Sequence, residues 1–313
     1  MSTGNPPHDW PALDFVEIRP TVDHLHRLAE IAGKYTLDQP FEPNWGNILM
    51  PITPRGFATP TLRAGAVSFD VHFELRDERV TVTASTGRAS LPLAPGSVAG
   101  FYERFVEAVE PLGIPAPRSL SQPEIGGAPP LDEDREQRAY DPGAARQVSA
   151  AQAHAAAALI AYQAPFRGHR PRVGLWWGGF DLSATRYSGR PVTPPATHPV
   201  FMQNGMTGEV VSVGFTLGDE RSPHPAFYAY ISPAPDGLDG VDFCVPEATW
   251  MPEAGLIVLP WGAVQASEDP EATVVRFADA VYAAAVELGG WPADLVGPRL
   301  DGWHASRHPV FEA

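Results

Sequence analysis

The segment richest in reactive side chains is Leu175-Trp-Trp-Gly-Gly-Phe-Asp-Leu-Ser-Ala-Thr-Arg-Tyr-Ser-Gly-Arg190. Two glycines after paired tryptophans permit close backbone approach. Trp177 and Phe180 supply aromatic area, Asp181 an acceptor, Arg186 and Arg190 fixed cations, and Ser188 a hydroxyl. Such a set can hold a polar or anionic ligand, with an arginine fork on its charged end. The alternative is that the tryptophans are core and that Asp181 and Arg186 form an internal ion pair. Further along, Glu209 opens Gly208-Glu-Val-Val-Ser-Val-Gly-Phe215, a single carboxylate at a strand start. Burial would raise its pKa toward acid-base work, and an arginine partner would do the opposite. In Ala226-Phe-Tyr-Ala-Tyr-Ile231 the period of two places Tyr228 and Tyr230 on one face. They either line a pocket with Trp45 or sit on a half-wet sheet.

Other chemistries find little support. Cys244 is the sole cysteine, so no internal disulfide forms, and it reads as a small buried hydrophobe. His304 and His308 have the i, i+4 spacing of a helical metal pair, but no glutamate intervenes as in a metalloprotease and Pro309 argues against a long helix. His24 and His26 diverge on a helix and mark no site. Phosphate-loop, dinucleotide-fold and nucleophile-elbow motifs are absent. No cofactor or metal is expected.

These side chains need a scaffold, and the chain has the composition for one. Hydrophobic residues make up 44% of 313, charged residues 19%, which suits a folded protein. Against 37 acidic residues stand 22 basic ones, a formal charge of -15 that repels nucleic acid and anionic lipid. The N-terminus lacks a basic stretch followed by an apolar run, and no apolar window approaches membrane length; a cytoplasmic location is expected. Residues 21–34 show helical spacing. Residues 66–75 alternate, with Val67, Phe69, Val71, Phe73 and Leu75 on one face and Ser68, Asp70, His72 and Glu74 on the other. With strands at 48–53, 56–63 and 79–85 they make an antiparallel meander, closed by a helix at 97–112. Residues 116–143 read as a proline-rich linker with a solvated charge run at 132–136. A helix at 144–162 follows, then strands near 173–177, 182–187, 209–215, 226–232 and 256–259. A last helix spans 270–288, capped by Asp269 with Pro270 at its first position.

The expected class is therefore α+β, with two similar lobes at 1–115 and 144–290 and a tail at 291–313. Val98, Phe101, Tyr102, Phe105, Val106 and Val109 have the spacing of Val274, Phe277, Ala278, Val281, Tyr282 and Ala285, which raises an internal duplication. Any amphipathic helix on a sheet repeats that spacing too.

Thr53-Pro-Arg-Gly56, Ser97-Val-Ala-Gly-Phe-Tyr102, Tyr140-Asp-Pro142, Trp177-Gly-Gly-Phe-Asp-Leu182, Arg186-Tyr-Ser-Gly-Arg190, Glu209 and Pro225-Ala-Phe-Tyr-Ala-Tyr230 together give the chain its likeness. It resembles, over nearly its whole length, an uncharacterised bacterial family, the domain of unknown function DUF5996. The resemblance implies no activity. It does imply that relatives carry histidines near the positions of Asn44, Asn47, Gln137, Gly174 and Gly208, which here are replaced.

The resulting expectation is a small-molecule-binding protein. Its cleft would use Trp45, Trp177, Phe180, Asp181, Arg186, Ser188, Arg190, Glu209, Tyr228 and Tyr230. Two other classes stay open. One is an enzyme without a cofactor, using Glu209 or Asp181 as acid or base. The other is a structural or partner-binding protein with no pocket.

Overall fold

The computed structural model describes residues 9–298. Helix α1 (Phe15–Lys34) starts earlier than its apolar spacing predicts. The side chain of Asp14 accepts from the amides of Val16 and Glu17, so the exposed N–H groups are capped and Pro20 is tolerated inside the helix. Six strands follow: β1 (Ile52–Thr53), β2 (Gly56–Ala58), β3 (Leu62–Ala64), β4 (Val67–Glu74), β5 (Arg79–Ala84) and β6 (Gly87–Pro92). All pairings are antiparallel, in the order β1-β2-β4-β5-β6 with β3 also on β4. The alternation in β4 is realised: Phe69, Val71 and Phe73 are buried, opposite Ala84, Val82 and Val80. Helix α2 (Val98–Val109), capped by the Ser97 hydroxyl on the Gly100 amide, buries Phe101, Phe105 and Val109.

Residues 113–141 have no regular element, yet they are a packed strap. Leu131 and Asp134 are fully buried. Asp134 accepts from Arg138 at 2.8 Å, and its backbone carbonyl accepts from the amide of Ala99. The expected solvated charge run is thus broken at its centre, because the Asp134 carboxylate is paired inside the protein.

The second half contains α3 (Pro142–Gln163), β7 (Gly174–Trp176), β8 (Asp181–Pro191), α4 (Val200–Gly205), β9 (Gly208–Thr216), β10 (Ala226–Ser232), β11 (Thr249–Met251), β12 (Leu256–Pro260), α5 (Trp261–Gln265) and α6 (Pro270–Glu287). Its antiparallel sheet runs β11-β12-β10-β9-β8-β7. One face, bearing Leu182, Ala184, Val211, Val213, Phe227 and Ala229, is buried against α3 and α6. The protein is thus α+β with two six-stranded antiparallel sheets and packed helices. Buried side chains from both halves form one continuous cluster, and α1 packs on both α2 and α3. The backbones of Met50 and Leu175 exchange two hydrogen bonds, at 2.9 and 2.7 Å, tying the first half to the edge of the second sheet. No helix among the described residues is long and apolar enough to cross a membrane.

Candidate functional site

Trp177 organises the site by being unavailable to it. Its ring is buried against Gly33, where a Cβ would overlap it, and the Lys34 ammonium sits 4.6 Å from its centroid. Its Nε1–H donates to Thr36 Oγ1 at 3.2 Å. With Trp177 anchored, the chain turns through Gly178 and Gly179 and places Phe180 in the left-handed region at φ 55°. That conformation is costly for a phenylalanine and requires surrounding support. That support comes from two rings: Phe180 stacks on His26 at 5.5 Å and meets Phe57 edge-on at 5.7 Å.

A cavity of about 530 Å³ opens beside this turn. Its walls are the first three turns of α1, residues 178–180, residues 124–126 of the strap and the loop 216–221 after β9. The loop is held by Asp219, whose Oδ1 accepts from the amides of Arg221 and Ser222 at 2.8 Å. Gly218, at φ 89°, lets the loop approach Phe15, since a Cβ there would stand 3.0 Å from that ring.

The cavity carries both charges, distributed unevenly in their availability. Arg19 is neutralised by Glu220 at 2.7 Å and Asp23 at 3.5 Å. Arg27 donates through Nη1 to the Asp23 carbonyl at 3.1 Å and lies 3.8 Å from the buried Asp134 carboxylate. The Arg221 guanidinium has no partner among the described residues. His26 donates from Nε2 to the Gly178 carbonyl at 3.0 Å, which makes Nδ1 the acceptor of a neutral ring. Desolvation holds its pKa down at about 4, with Arg27 and Lys34 acting in the same direction.

Behind Glu124 lies a buried ionic cluster. Lys34 Nζ contacts Glu30 at 2.7 Å and Glu124 at 3.1 Å; the Glu30 and Lys34 side chains are 0% and 2% exposed, and Glu124 is 29% exposed. Burial first, and then the neighbouring Glu124, raise the Glu30 pKa to about 7 against the pull of Lys34.

Of the ten residues expected to share one cleft, only Phe180 lines this cavity. Trp177 is core, for the reasons above. Arg186 is fully buried under α3 and α6, its guanidinium 3.5 Å from the Tyr162 ring centroid and 4.8 Å from that of Tyr282, with Asp279 at 3.9 Å. Its expected partner was Asp181, but strand alternation sends the two to opposite faces of the sheet. Asp181 instead accepts from the Tyr228 hydroxyl, and burial raises its pKa to about 6 although that bond lowers it. Tyr230 shares the same face and bonds Ser212. Ser188, Arg190 and Glu209 do come together: the Ser188 hydroxyl donates to Glu209 at 2.7 Å, and Arg190 joins Glu209 at 3.4 Å to the carbonyls of Gly289 and Gly290. This trio pins the end of α6 and occupies the opposite end of β9 from the cavity. Trp45 stacks on Phe201 at 5.2 Å and donates to its carbonyl at 2.8 Å.

The sequence passes over Arg27, Glu124, Arg221 and Glu30, and His26, set aside there as marking no site, lines the cavity. The one available signal was Glu30 and Lys34, charged at i, i+4 inside the apolar stripe of α1. Cys244 is exposed, not buried. His304 and His308 lie outside the described residues. Asn44 bonds the Gly205 carbonyl and Thr207, next to Gly208; Asn47 is on the same turn, and Gly174 backs onto Leu49 and Met50. Gln137, on the strap, donates to the Arg135 carbonyl. Among the described residues no group of three or more metal-ligating side chains gathers.

Two antiparallel sheets joined by a shared helical core, with a mixed-charge cavity where α1 crosses the turns of the second sheet, define an α+β protein with an open polar cleft. The chain belongs to the family of unknown function DUF5996, whose model matches residues 10–297. No curated protein and no solved structure matches it.

Proposed function

We propose that this protein binds a small organic anion in the cavity beside Phe180, in the cytoplasm. The observation that carries the reading is the exposed Arg221 guanidinium, without a partner among the described residues, at the rim of a cavity of about 530 Å³ whose carboxylates are paired with Arg19 or Lys34 or hold loop amides. Arg221 and the remaining N–H donors of Arg27 would take the anionic group. Phe15 and Phe180 would cover an apolar body, and His26 Nδ1 would accept from a ligand hydroxyl or amide. The volume suits a metabolite rather than a polymer. The overall charge of -15 sets the rest of the surface against nucleic acid and anionic membranes, so the arginines act locally.

Thermal-shift screening against carboxylates, sulfate, phosphorylated metabolites and metal ions tests this, because a ligand that binds only the folded state raises the unfolding temperature. Anions are expected to stabilise the protein, and Arg221→Ala to remove the effect. A panel without any anionic hit favours a structural or partner-binding role.

A second reading, an enzyme without a nucleotide cofactor, is favoured by Asp181. Burial pushes its carboxyl up to about 6, and it accepts from the Tyr228 hydroxyl. An Asp181→Asn variant that binds ligand normally but loses turnover by orders of magnitude would establish it. Glu209, engaged by Ser188 and Arg190, is the weaker candidate.

A further inference from the structure

The cluster behind Glu124 holds two carboxylates and one ammonium. With all three ionised, a net negative charge would sit beside the Trp177 ring, with Glu30 and Lys34 shut off from solvent and only Glu124 partly exposed to relieve it. Lys34 Nζ stands 2.7 Å from Glu30 Oε2, while Glu30 Oε1 has no hydrogen-bond partner among the described residues. The charged groups facing Glu30 are Lys34, one turn along α1, and Glu124 from the strap; His26, one turn before, is neutral. Two like charges around one cation are relieved by a single proton. Glu30, the more buried carboxylate, is where that proton resides, and its raised pKa of about 7 agrees.

Glu124 belongs to this cluster and to the cavity wall at once. Glu124, Arg27 and Lys34 all act on the charge of His26, so the cluster and the proposed anion site lie within electrostatic reach of each other. An anion entering the cavity adds negative potential beside Glu124 and, through the cluster, to Glu30.

We propose that the cavity takes up an anion together with one proton, the proton being held by Glu30 in the Glu30–Lys34–Glu124 cluster. This rests on the anion-binding reading above and adds the coupling. The proton comes from solvent and adds to a Glu30 carboxylate oxygen; no covalent bond in the ligand breaks. The site is thereby suited to anions whose own charge stays constant near neutrality, such as carboxylates.

Titration calorimetry with benzoate, and separately with sulfate, in buffers of different ionisation enthalpy reads the proton number directly. The expected result is uptake approaching one proton per anion above about pH 7, with affinity falling more than tenfold between about pH 6 and about pH 8.5. Glu30→Gln, a neutral mimic of the protonated side chain, should bind at every pH with the affinity the natural protein shows at low pH, without proton uptake. Glu124→Gln, which removes the like charge, should move the pH-sensitive window downward. Binding that needs Arg221 but is flat with pH, with Glu30→Gln indistinguishable from the natural protein, overturns the coupling and leaves the anion site standing. Absence of benzoate and sulfate binding at every pH overturns both.

Discussion

Replacing Glu30 by glutamine is expected to stabilise the protein at alkaline pH. The ordinary glutamate value is 4.5, and burial beside Glu124 lifts Glu30 to about 7. Each factor of ten in proton affinity corresponds to about 1.4 kcal/mol, so ionised Glu30 costs the folded state about 3 kcal/mol relative to its protonated form. Between the two values the folded protein binds more protons than the unfolded chain. Stability is therefore highest below about pH 4.5 in this respect, declines as pH rises to about 7, and then levels off. Glutamine carries no proton to lose. Urea unfolding of both proteins across that range should give equal midpoints at the acid end and a Gln advantage of up to about 3 kcal/mol at about pH 8. Asp181, whose value is also raised, contributes its own decline to both proteins and cancels in the difference. Parallel profiles, or a variant less stable at pH 8, would refute the reasoning: Lys34 would then be stabilising an ionised Glu30 outright.

Three further outcomes follow from the same geometry. Gly33→Ala forces a methyl into the Trp177 ring, which is anchored by Thr36 and Lys34, and should cost about 1–3 kcal/mol or more in denaturant unfolding. Tyr228→Phe removes the hydroxyl that donates to Asp181; it should cost about 1–3 kcal/mol above about pH 6, where the carboxylate is ionised, and much less below, as read from unfolding at two pH values. Glu209→Gln weakens an exposed pairing with Arg190, so thermal unfolding should change by less than about 1 kcal/mol and benzoate affinity should be unaltered, the site being at the far end of β9.

Local order was legible wherever one short-range signal decided it. The alternation from Val67 to Leu75 is carried by side chains on successive faces of one strand, and the structure reproduces it. Asp269 and Pro270 mark the start of α6 because capping is a contact over three residues, here Asp269 Oδ1 accepting from Ala272 at 3.0 Å. The start of α1 lies ahead of the helical spacing at 21–34 because the Asp14 cap sets it, and a cap is only one residue's preference. The site was less legible for a geometric reason. Trp177, Phe180 and Asp181 are neighbours in sequence and read as one group. A tight turn entering a strand separates them: Trp177 goes under α1, Phe180 to the cavity, and Asp181 to the sheet face that bears Tyr228. What spacing could not supply was α1 itself, whose His26 reaches the turn at Gly178 from 152 residues away in the chain.

The strap alters how ligand binding and folding relate. Its prolines and charges have the composition of a passive connector, yet it supplies Glu124, Ile125 and Gly126 to the cavity and Asp134 to Arg27. The remaining walls come from α1 in the first half and from two turns in the second. A ligand in this cavity therefore contacts all three parts of the chain and can stabilise their association only as a unit. Glu124 is where this converges. It closes the cavity, it grips Lys34 of α1, and a Cβ on Gly178 would stand 2.8 Å from its Cγ. Alanine at position 178 would thus press on the strap, the turn and the buried proton site together. A loss of anion affinity in Gly178→Ala accompanied by a shifted pH profile would mark Glu124 as the residue through which the cavity and the cluster communicate.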